Sequence, residues 1–295
     1  MHGVLKEIID HKREEVAKLR ASTTFAELEA QVAQAEPARN FFAAVTHHHD
    51  AFHTSVIAEI KRRSPSAGLI RPEYAQLLPA SKGSGGESTG SESPRGFDPA
   101  DIARRYHANG AAAISCQTDE RFFGGHLSFI ERVKEAVPLP VLRKDFIIDP
   151  IQLWESRAAG ADAVLLIAEV LTISQILDLL ILAQQLGLTV LMEVHSVESL
   201  LRIRPHVGFP HPSYFLLGIN NRDLATQKVD INHTLRLLDM VEEPALLVSE
   251  SGIKTAQDLA WLRHHNVRIV LVGEHLMRQT DPGQALAEML GHPTR

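Results

Sequence analysis

One lysine stands where a buried strand should give way to a loop. The segment VLRKDFIIDP, residues 141–150, begins like the end of a strand, and Lys144 is followed by an acid and three apolar residues. One interpretation is a surface lysine whose aliphatic stem lies along apolar neighbours while its ammonium group stays in water. The other is a cation held at the mouth of a pocket, ready to act as a general acid.

Polar residues at the ends of other apolar segments favour the second interpretation. They are Glu59 and Lys61 in the first segment, Glu193 in the fifth, and Asn220 and Arg222 in the sixth. Residues two apart on a strand point to the same face of the sheet. A single polar residue at a strand end is common, but polar residues at the same end of four strands indicate a shared pocket. In a barrel, alternate strands contribute to one layer, so Lys61, Lys144 and Glu193 are predicted to meet there for acid–base chemistry.

Glycines follow the last two apolar segments. The seventh ends in Ser251-Gly252 and the eighth in Gly273-Glu274. Glycine lets backbone N–H groups approach an anion, and a helix N-terminus adds its dipole. These loops hold phosphate in many (β/α)8 barrels, so we predict that a phosphate ester binds here, across the pocket from Lys144.

The elements that must position these residues alternate along the chain. Buried strands are predicted at 55–61, 111–116, 140–145, 163–170, 189–194, 214–220, 245–250 and 269–274. Helices are predicted between and after them, at 101–107, 127–135, 151–159, 173–186, 196–203, 232–240, 256–265 and 284–290. Alternation of this kind implies a parallel sheet. Eight strand–helix pairs, regularly spaced from the second strand onward, favour the α/β class as a (β/α)8 TIM barrel over a doubly wound sheet.

We predict a single domain over residues 1–295, with an N-terminal helical extension at 1–54 and the barrel at 55–295. The extension contains a helix at 4–20 and a second helix opened by a capping box of Thr24 and Glu27. Between the first two strands, residues 80–95 read ASKGSGGESTGSESPR and contain almost no apolar side chains. Such a segment buries too little surface to offset the entropy of ordering it, so it is predicted to be a flexible insertion in the first βα loop.

Composition restricts the function. The net charge is −6 and the pI about 6.2, with no dominant basic stripe, which argues against a nucleic-acid partner. The single cysteine, Cys116, excludes an internal disulfide and fits a reducing compartment. The N-terminus lacks the apolar core of a signal peptide, and no apolar run is long enough to span a bilayer. A cytoplasmic protein without a membrane partner is expected.

Eight longer motifs follow one another along the chain: EIKRRSPS (59–66), TDERFFGG (118–125), LRKDFIIDP (142–150), AGADAVLLI (159–167), LMEVH (191–195), GINNRDL (218–224), VSESGI (248–253) and LVGEHLM (271–277). In these motifs and in their order the chain resembles the indole-3-glycerol-phosphate synthases of tryptophan biosynthesis. The resemblance has several implications. It implies a TIM barrel whose N-terminal extension helps to cover the mouth. It also implies a lyase that closes the indole ring of 1-(o-carboxyphenylamino)-1-deoxyribulose 5-phosphate with loss of carbon dioxide and water, using neither metal nor organic cofactor.

The resemblance also implies roles for individual residues. Lys144 would be the general acid of ring closure, Glu193 the base or electrostatic partner of the dehydration, and Lys61 the holder of the phosphate or carboxylate end. Glu59 and Asn220 would orient substrate hydroxyls and the neighbouring lysine, and Arg222 would position the acidic groups around it. The remaining predicted binding residues are Ser64, Phe123, Phe146 and Leu165, the last three as a slot for the anthranilate ring, with Ser251, Gly252, Gly273 and Glu274 around the phosphate.

Three departures and three alternatives remain open, and the first departure is the long loop between the first two strands. Gln117 stands where an aliphatic residue is expected and could alter the floor of the pocket, while the Glu274 carboxylate is acceptable only if it points away from the phosphate. Phosphoribosylanthranilate isomerase, a Schiff-base aldolase using Lys144, and a non-catalytic barrel that binds phosphoribosyl ligands are the competing functions. The expected partner is a small phosphorylated substrate, and the expected state is a monomer or weak homo-oligomer.

Overall fold

The computed structural model describes residues 3–47, 53–79, 96–207, 214–223 and 226–291. Its strands are β1 (Ser55–Ile60), β2 (Arg63–Ser64), β3 (Gly68–Leu69), β4 (Ala113–Gln117), β5 (Val141–Lys144), β6 (Ala163–Ile167), β7 (Thr189–Val194), β8 (Phe215–Asn220), β9 (Leu247–Glu250) and β10 (Ile269–Val272). Eight of them form a closed barrel in the order β1-β10-β9-β8-β7-β6-β5-β4, in which every neighbouring pair is parallel. The prediction of a TIM barrel is confirmed.

Helices follow the barrel strands and precede the first one. They are α1 (Val4–Ser22), α2 (Phe25–Gln34), α3 (Phe41–Thr46), α4 (Pro99–Ala108), α5 (Glu120–Phe123), α6 (Ser128–Ala136), α7 (Pro150–Ala158), α8 (Ile173–Gln185), α9 (Val197–Ile203), α10 (Asn232–Leu238), α11 (Ala256–His264), α12 (Glu274–Arg278) and α13 (Pro282–Leu290). Short 3-10 turns lie at Pro72–Ala75 and Pro244–Leu246. Within the described ranges, no helix is both long and apolar enough to cross a bilayer.

Local sequence explains where many helices begin. Thr24 and Glu27 form the predicted capping box of α2, in which each side chain bonds the other's backbone N–H. Helices α4, α7 and α13 each start with an aspartate N-cap followed by proline at the first helical position. Proline suits this position because its fixed φ is helical and the N–H it lacks would have no partner within the helix.

The N-terminal helices reach both ends of the barrel. At the amino ends of the strands, α3 packs against β1 and β4 with Phe41 and Val45 fully buried. The nearby Arg39 N–H donates to Asp162, directly before β6, at 2.7 Å. At the carboxyl ends, α1 places Leu5 and Ile8 against the central cavity. The extension therefore does more than cover the mouth, because α3 also closes the opposite end.

The structure corrects several details of the sequence prediction. Strands β6 and β10 end earlier than predicted, because residues 168–170 lie in a βα loop and Glu274 already begins α12. Strand β9 begins later than predicted, because Pro244–Leu246 form a 3-10 turn. The short helices α3, α5 and α12 and the β2–β3 hairpin were not predicted, since a few residues carry too little periodicity. The predicted insertion at 80–95 lies outside the described residues.

Candidate active site

A cavity of about 790 Å³ opens at the carboxyl ends of the barrel strands. Every predicted site residue lines it: Glu59, Lys61, Ser64, Phe123, Lys144, Phe146, Leu165, Glu193, Asn220, Arg222, Ser251, Gly252, Gly273 and Glu274. Their shared position follows from the topology, since all barrel strands run parallel and end at one rim. The structure thus brings together side chains that are more than 200 residues apart in sequence.

Lys144 lies between two carboxylates. Its Nζ donates to Glu193 Oε2 at 2.8 Å and lies 3.4 Å from Glu250 Oε2. All three side chains are nearly buried, and each stands at or near the carboxyl end of its strand, β5, β7 or β9. Within the described residues, neither oxygen of Glu250 has a hydrogen-bond partner. Glu250 therefore retains the capacity to bond a ligand.

Burial and charge set opposite protonation states for the two carboxyl groups. Burial lowers the pKa of Lys144, but the carboxylates of Glu193, Glu250 and Glu59 outweigh it and the net pKa is raised. Burial raises the pKa of Glu193, yet Lys144 and His195 bring it well below its usual range. Burial and the Glu193 charge raise the pKa of Glu250 to about 8. At neutral pH, Lys144 and Glu193 are charged and Glu250 retains its proton.

Lys61 is bonded within its own strand segment. Its Nζ lies 2.6 Å from Glu59 Oε1, and the other oxygen of Glu59 accepts a 3.2 Å bond from the Gln117 side chain. The unexpected Gln117 thus lies at the pocket floor as a donor to Glu59. Lys61 and Lys144 belong to two separate ion pairs, so the predicted layer contains two ammonium–carboxylate units and not one triad.

Apolar side chains form one wall of the cavity. The rings of Phe123 and Phe146 lie 6.0 Å apart between centroids, tilted by 39°, and Leu165 lines the same cavity. Phe123 belongs to α5, whose N-terminus is capped by Asp119 through bonds to the backbone N–H groups of Phe122 and Phe123. A planar aromatic ligand fits this kind of surface.

The last three strands supply arginine and glycine. Glu274 begins α12 and accepts bonds from Arg222 at 3.3 Å and from Arg278 at 2.9 Å. Burial raises its pKa, but Arg278, Lys61 and Arg222 lower it overall, so the carboxylate is ionised and neutralised by the arginines. Ser251 and Gly252 both have positive φ, 69° and 83°. Glycine adopts such a φ freely, but the positive φ of Ser251 costs conformational energy, a feature that is typical of functional loops.

Gly273 has a second reason to be glycine. A Cβ atom here would lie 2.3 Å from Glu59 Oε1 and 2.9 Å from Glu59 Cβ. The missing side chain thus makes room for the carboxylate that bonds Lys61. Ser64, the remaining predicted residue, is buried beside the cavity and accepts a bond from the Ala67 N–H at 3.1 Å.

A buried lysine connects the N-terminal helix to the site. Lys12 Nζ lies 2.8 Å from Asp145 Oδ1, 3.2 Å from Asp119 Oδ2 and 2.5 Å from Glu15 Oε2. Asp145 follows Lys144 directly, and its other oxygen accepts a 3.1 Å bond from Arg143. Burial lowers the pKa of Lys12, but Asp145 and Asp119 raise it overall, so this ammonium group stays charged.

Sequence reasoning missed Glu250, His195, Lys12 and the cavity-lining residues of α1. Glu250 and His195 were detectable: one ends the seventh strand segment, and the other shares the parity of Glu193. Lys12 occupies a position on the buried stripe of α1 among Leu5, Ile8, Ile9 and Val16. A lysine in an apolar stripe was the available signal, but its acidic partners come from distant loops.

Comparisons with known proteins show what the whole chain is similar to. A family model described as indole-3-glycerol phosphate synthase matches residues 5–85 and 88–289. A protein of that name from Acidithiobacillus ferrooxidans is 42% identical over 289 residues, covering 98% of this chain and 99% of its own. One from Rhodospirillum rubrum is 40% identical over 291 residues, covering 99% of this chain and all of its own. The crystal structure of 3-hexulose-6-phosphate synthase from Salmonella typhimurium has a TM-score of 0.50 at 13% identity over 80% of this chain and 97% of its own, a likeness of fold alone.

Proposed function

The chain belongs to the indole-3-glycerol phosphate synthase family, a family of carboxy-lyases in tryptophan biosynthesis, and we propose how its cavity carries out the reaction. The substrate is 1-(o-carboxyphenylamino)-1-deoxyribulose 5-phosphate and the products are indole-3-glycerol phosphate, carbon dioxide and water. The observation that carries the assignment of roles is the Lys144–Glu193 pair, bonded at 2.8 Å in a cavity that an aromatic slot and two glycine loops also line.

Ring closure requires an acid beside an apolar surface. The aromatic carbon that carries the carboxylate attacks the ribulose carbonyl carbon. A carbon–carbon bond forms, and negative charge develops on the carbonyl oxygen. Lys144, charged and nearly buried, stabilises that oxygen and delivers its proton there. Phe123 and Phe146 hold the anthranilate ring. Carbon dioxide then leaves, and its bonding electrons restore the aromatic ring.

Dehydration requires an acid and a base on the same intermediate. The new hydroxyl leaves as water after gaining a proton, and the carbon beside the ring nitrogen loses one. Glu193, ionised in the free protein, is the base, and Glu250, which retains its proton, is available as a donor to the departing hydroxyl or a ribulose hydroxyl. Lys61 is the alternative donor, held in place by Glu59 at 2.6 Å.

The phosphate end of the substrate lies against the loops after β9 and β10. Ser251, Gly252 and Gly273 supply backbone and hydroxyl groups, while Asn220 bonds the Arg222 N–H at 3.0 Å and keeps that loop in place. Glu274 is not a ligand in this proposal, because its carboxylate is already bound to Arg222 and Arg278. We further propose that the chain works in the cytoplasm as a monomer or weak homo-oligomer; the low cysteine content supports the location.

The test is turnover of the purified protein with this substrate, followed by indoleglycerol phosphate fluorescence and release of carbon dioxide. We expect product from the wild-type protein and from Lys18→Ala, an exposed control on α1. Lys144→Ala should form product at least about 100-fold more slowly. Treatment with borohydride in the presence of substrate tests the aldolase alternative, because reduction of a Schiff base would leave a covalent adduct on Lys144. Such an adduct, or no product from the wild type, would contradict the proposal.

A further inference from the structure

His195 lies beside the site and is held on both sides of its ring. Its Nε2 lies 2.7 Å from Glu193 Oε1, and its Nδ1 lies 2.9 Å from the Arg222 carbonyl oxygen. The side chain is almost fully buried and lines the cavity. Its backbone N–H donates to Glu169 at 2.8 Å, and its carbonyl accepts a 3.0 Å bond from His233 Nε2. Four hydrogen bonds therefore fix the position of this residue.

The partners determine where the protons are. A carbonyl oxygen only accepts, so Nδ1 must carry a proton to bond the Arg222 carbonyl. The other nitrogen faces a carboxylate oxygen, which also accepts when it is ionised. The bond between His195 and an ionised Glu193 therefore requires the doubly protonated imidazolium. The alternative arrangement moves the second proton onto Glu193 and leaves Nε2 as the acceptor.

Charges around the ring favour the imidazolium. The titratable groups whose charges act on the ring are Glu193 on β7, Glu169 after β6, Glu250 on β9 and His233 on α10, and Lys144 on β5 acts on Glu193 from its other side. Burial lowers the pKa of His195, but the bond to Glu193 and the charge of Glu169 raise it to about 9. Burial and nearby cations lower the pKa of His233, so at neutral pH it does not compete as a second cation.

We propose that His195 is a positioning residue for the dehydration base: its ring, fixed by the Arg222 carbonyl, bonds Glu193 Oε1 and directs the other oxygen towards Lys144 and the cavity. Glu193 is then held between two cationic donors, at 2.7 Å and 2.8 Å. The arrangement also connects β7 to the loop after β8, which carries Arg222. This inference rests on the proposed role of Glu193, but the protonation of His195 can be measured without substrate.

The first measurement is the ¹⁵N shift of the ring nitrogens of His195 in the full-length, substrate-free protein, assigned by comparison with His195→Gln. At pH 7 we expect both nitrogens to be protonated, with loss of the Nε2 proton near pH 9. A ring that is neutral at pH 7 would overturn the proposal. Because no turnover is involved, this result is independent of whether the proposed reaction is correct.

The second measurement is steady-state kinetics of two variants that separate the ring contacts. Asparagine places its amide near Nδ1, keeps the Arg222 bond and loses the one to Glu193. Glutamine places its amide near Nε2 and donates to Glu193 without titrating. We expect His195→Asn to lower kcat about 10-fold to 100-fold, as for loss of one bond to a charged group, with KM nearly unchanged. His195→Gln should retain more activity than asparagine.

The pH profile separates positioning from a general structural effect. As pH rises through about 9, the wild-type ring loses its Nε2 proton and Glu193 loses a donor. The ratio of wild-type to His195→Gln kcat should therefore shrink on that limb, since glutamine has no proton to lose. His265→Asn is the matched control, because its Nδ1 also lies 2.9 Å from a carbonyl, that of Trp261, outside the cavity. Parallel profiles, or asparagine retaining at least half of wild-type kcat, would overturn the proposal.

Discussion

The glycine after the eighth barrel strand offers a sharp test of how the carboxylates are placed. Gly273 has a φ of −128°, which any residue adopts, so alanine would cause no strain of the left-handed region. The obstacle is Glu59, whose Oε1 lies 2.3 Å and whose Cβ lies 2.9 Å from the position of an added Cβ. Ordinary contact requires more than 3.4 Å, so the Glu59 carboxylate must move by about 1 Å.

That movement breaks two bonds within the site. Glu59 holds Lys61 at 2.6 Å and accepts from Gln117 at 3.2 Å. A displacement of about 1 Å in a catalytic constellation can cost roughly 100-fold in rate, so Gly273→Ala should lower kcat by about that factor. Overpacking should also lower the free energy of unfolding by about 1–3 kcal/mol. If Gly273 served only to admit a phosphate, KM would rise and kcat would hardly change.

The assay is steady-state turnover together with urea unfolding. Gly187→Ala is the control: its φ of 70° imposes about 1–2 kcal/mol of strain, yet its Cβ would meet nothing within 4 Å. It should lose stability and keep its turnover. In a Glu59→Gln background, Gly273→Ala should add little further loss, because both changes act through one side chain. Additive losses, or wild-type kcat in Gly273→Ala, would refute the reasoning.

Four further predictions follow from the site and the chain. Lys144→Ala should lower the single-turnover rate by roughly two to four powers of ten while leaving phosphate-end binding intact; more than about a tenth of wild-type turnover would contradict the acid role. Lys12→Met should lower the free energy of unfolding by about 3–5 kcal/mol in urea titrations, since it removes the ammonium group that neutralises buried Asp119 and shares Asp145 with Arg143. The exposed Lys6→Met should cost less than about 1 kcal/mol, and equal losses in the two variants would refute the difference. Sulfate and inorganic phosphate should compete with substrate in inhibition assays, and no competition at high millimolar concentration would contradict the phosphate site. Deletion of 81–93 should keep turnover within about threefold, because loop-closure entropy changes slowly with length; a loss of about tenfold with an intact circular dichroism spectrum would indicate a lid.

The barrel was predictable because its signals are local and repeated. Each strand segment is a short apolar run and each following helix has its own apolar stripe, so the count and order survive errors of a few residues at the ends. The capping box depends on two residues three positions apart, Thr24 and Glu27, and it was predicted correctly. Helix α3 was missed because its six residues are too few to show a helical period. It is stabilised by its Asn40 cap and by the packing of Phe41 and Val45 into the barrel end. That the extension and barrel form one domain stays a prediction, which a single cooperative unfolding transition would support.

The site was predictable only in part, because its pairings are non-local. The positions of the strand ends indicate which polar residues face the mouth of the barrel. This was enough to predict that Lys144 and Glu193 lie close together. They do not indicate that Lys61 bonds Glu59 of its own segment, or that Gln117 donates to the same carboxylate. They also do not place Lys12, whose partners Asp119 and Asp145 come from two βα loops. Such contacts depend on angles and distances that a one-dimensional pattern does not contain.

Glu193 and Glu250 show why the chemistry of a residue cannot be assigned from its type and strand position. Both are glutamates near the carboxyl end of a barrel strand, and both lie within 3.4 Å of the same ammonium group. Two buried carboxylates beside one cation cannot both ionise easily. Glu193 has a second donor in His195, which makes its ionised form the more stable. Glu250 has no such donor within the described ranges and retains its proton to about pH 8. We therefore infer that His195, two residues after Glu193 in the chain, favours the ionised form of Glu193 and leaves the proton on Glu250.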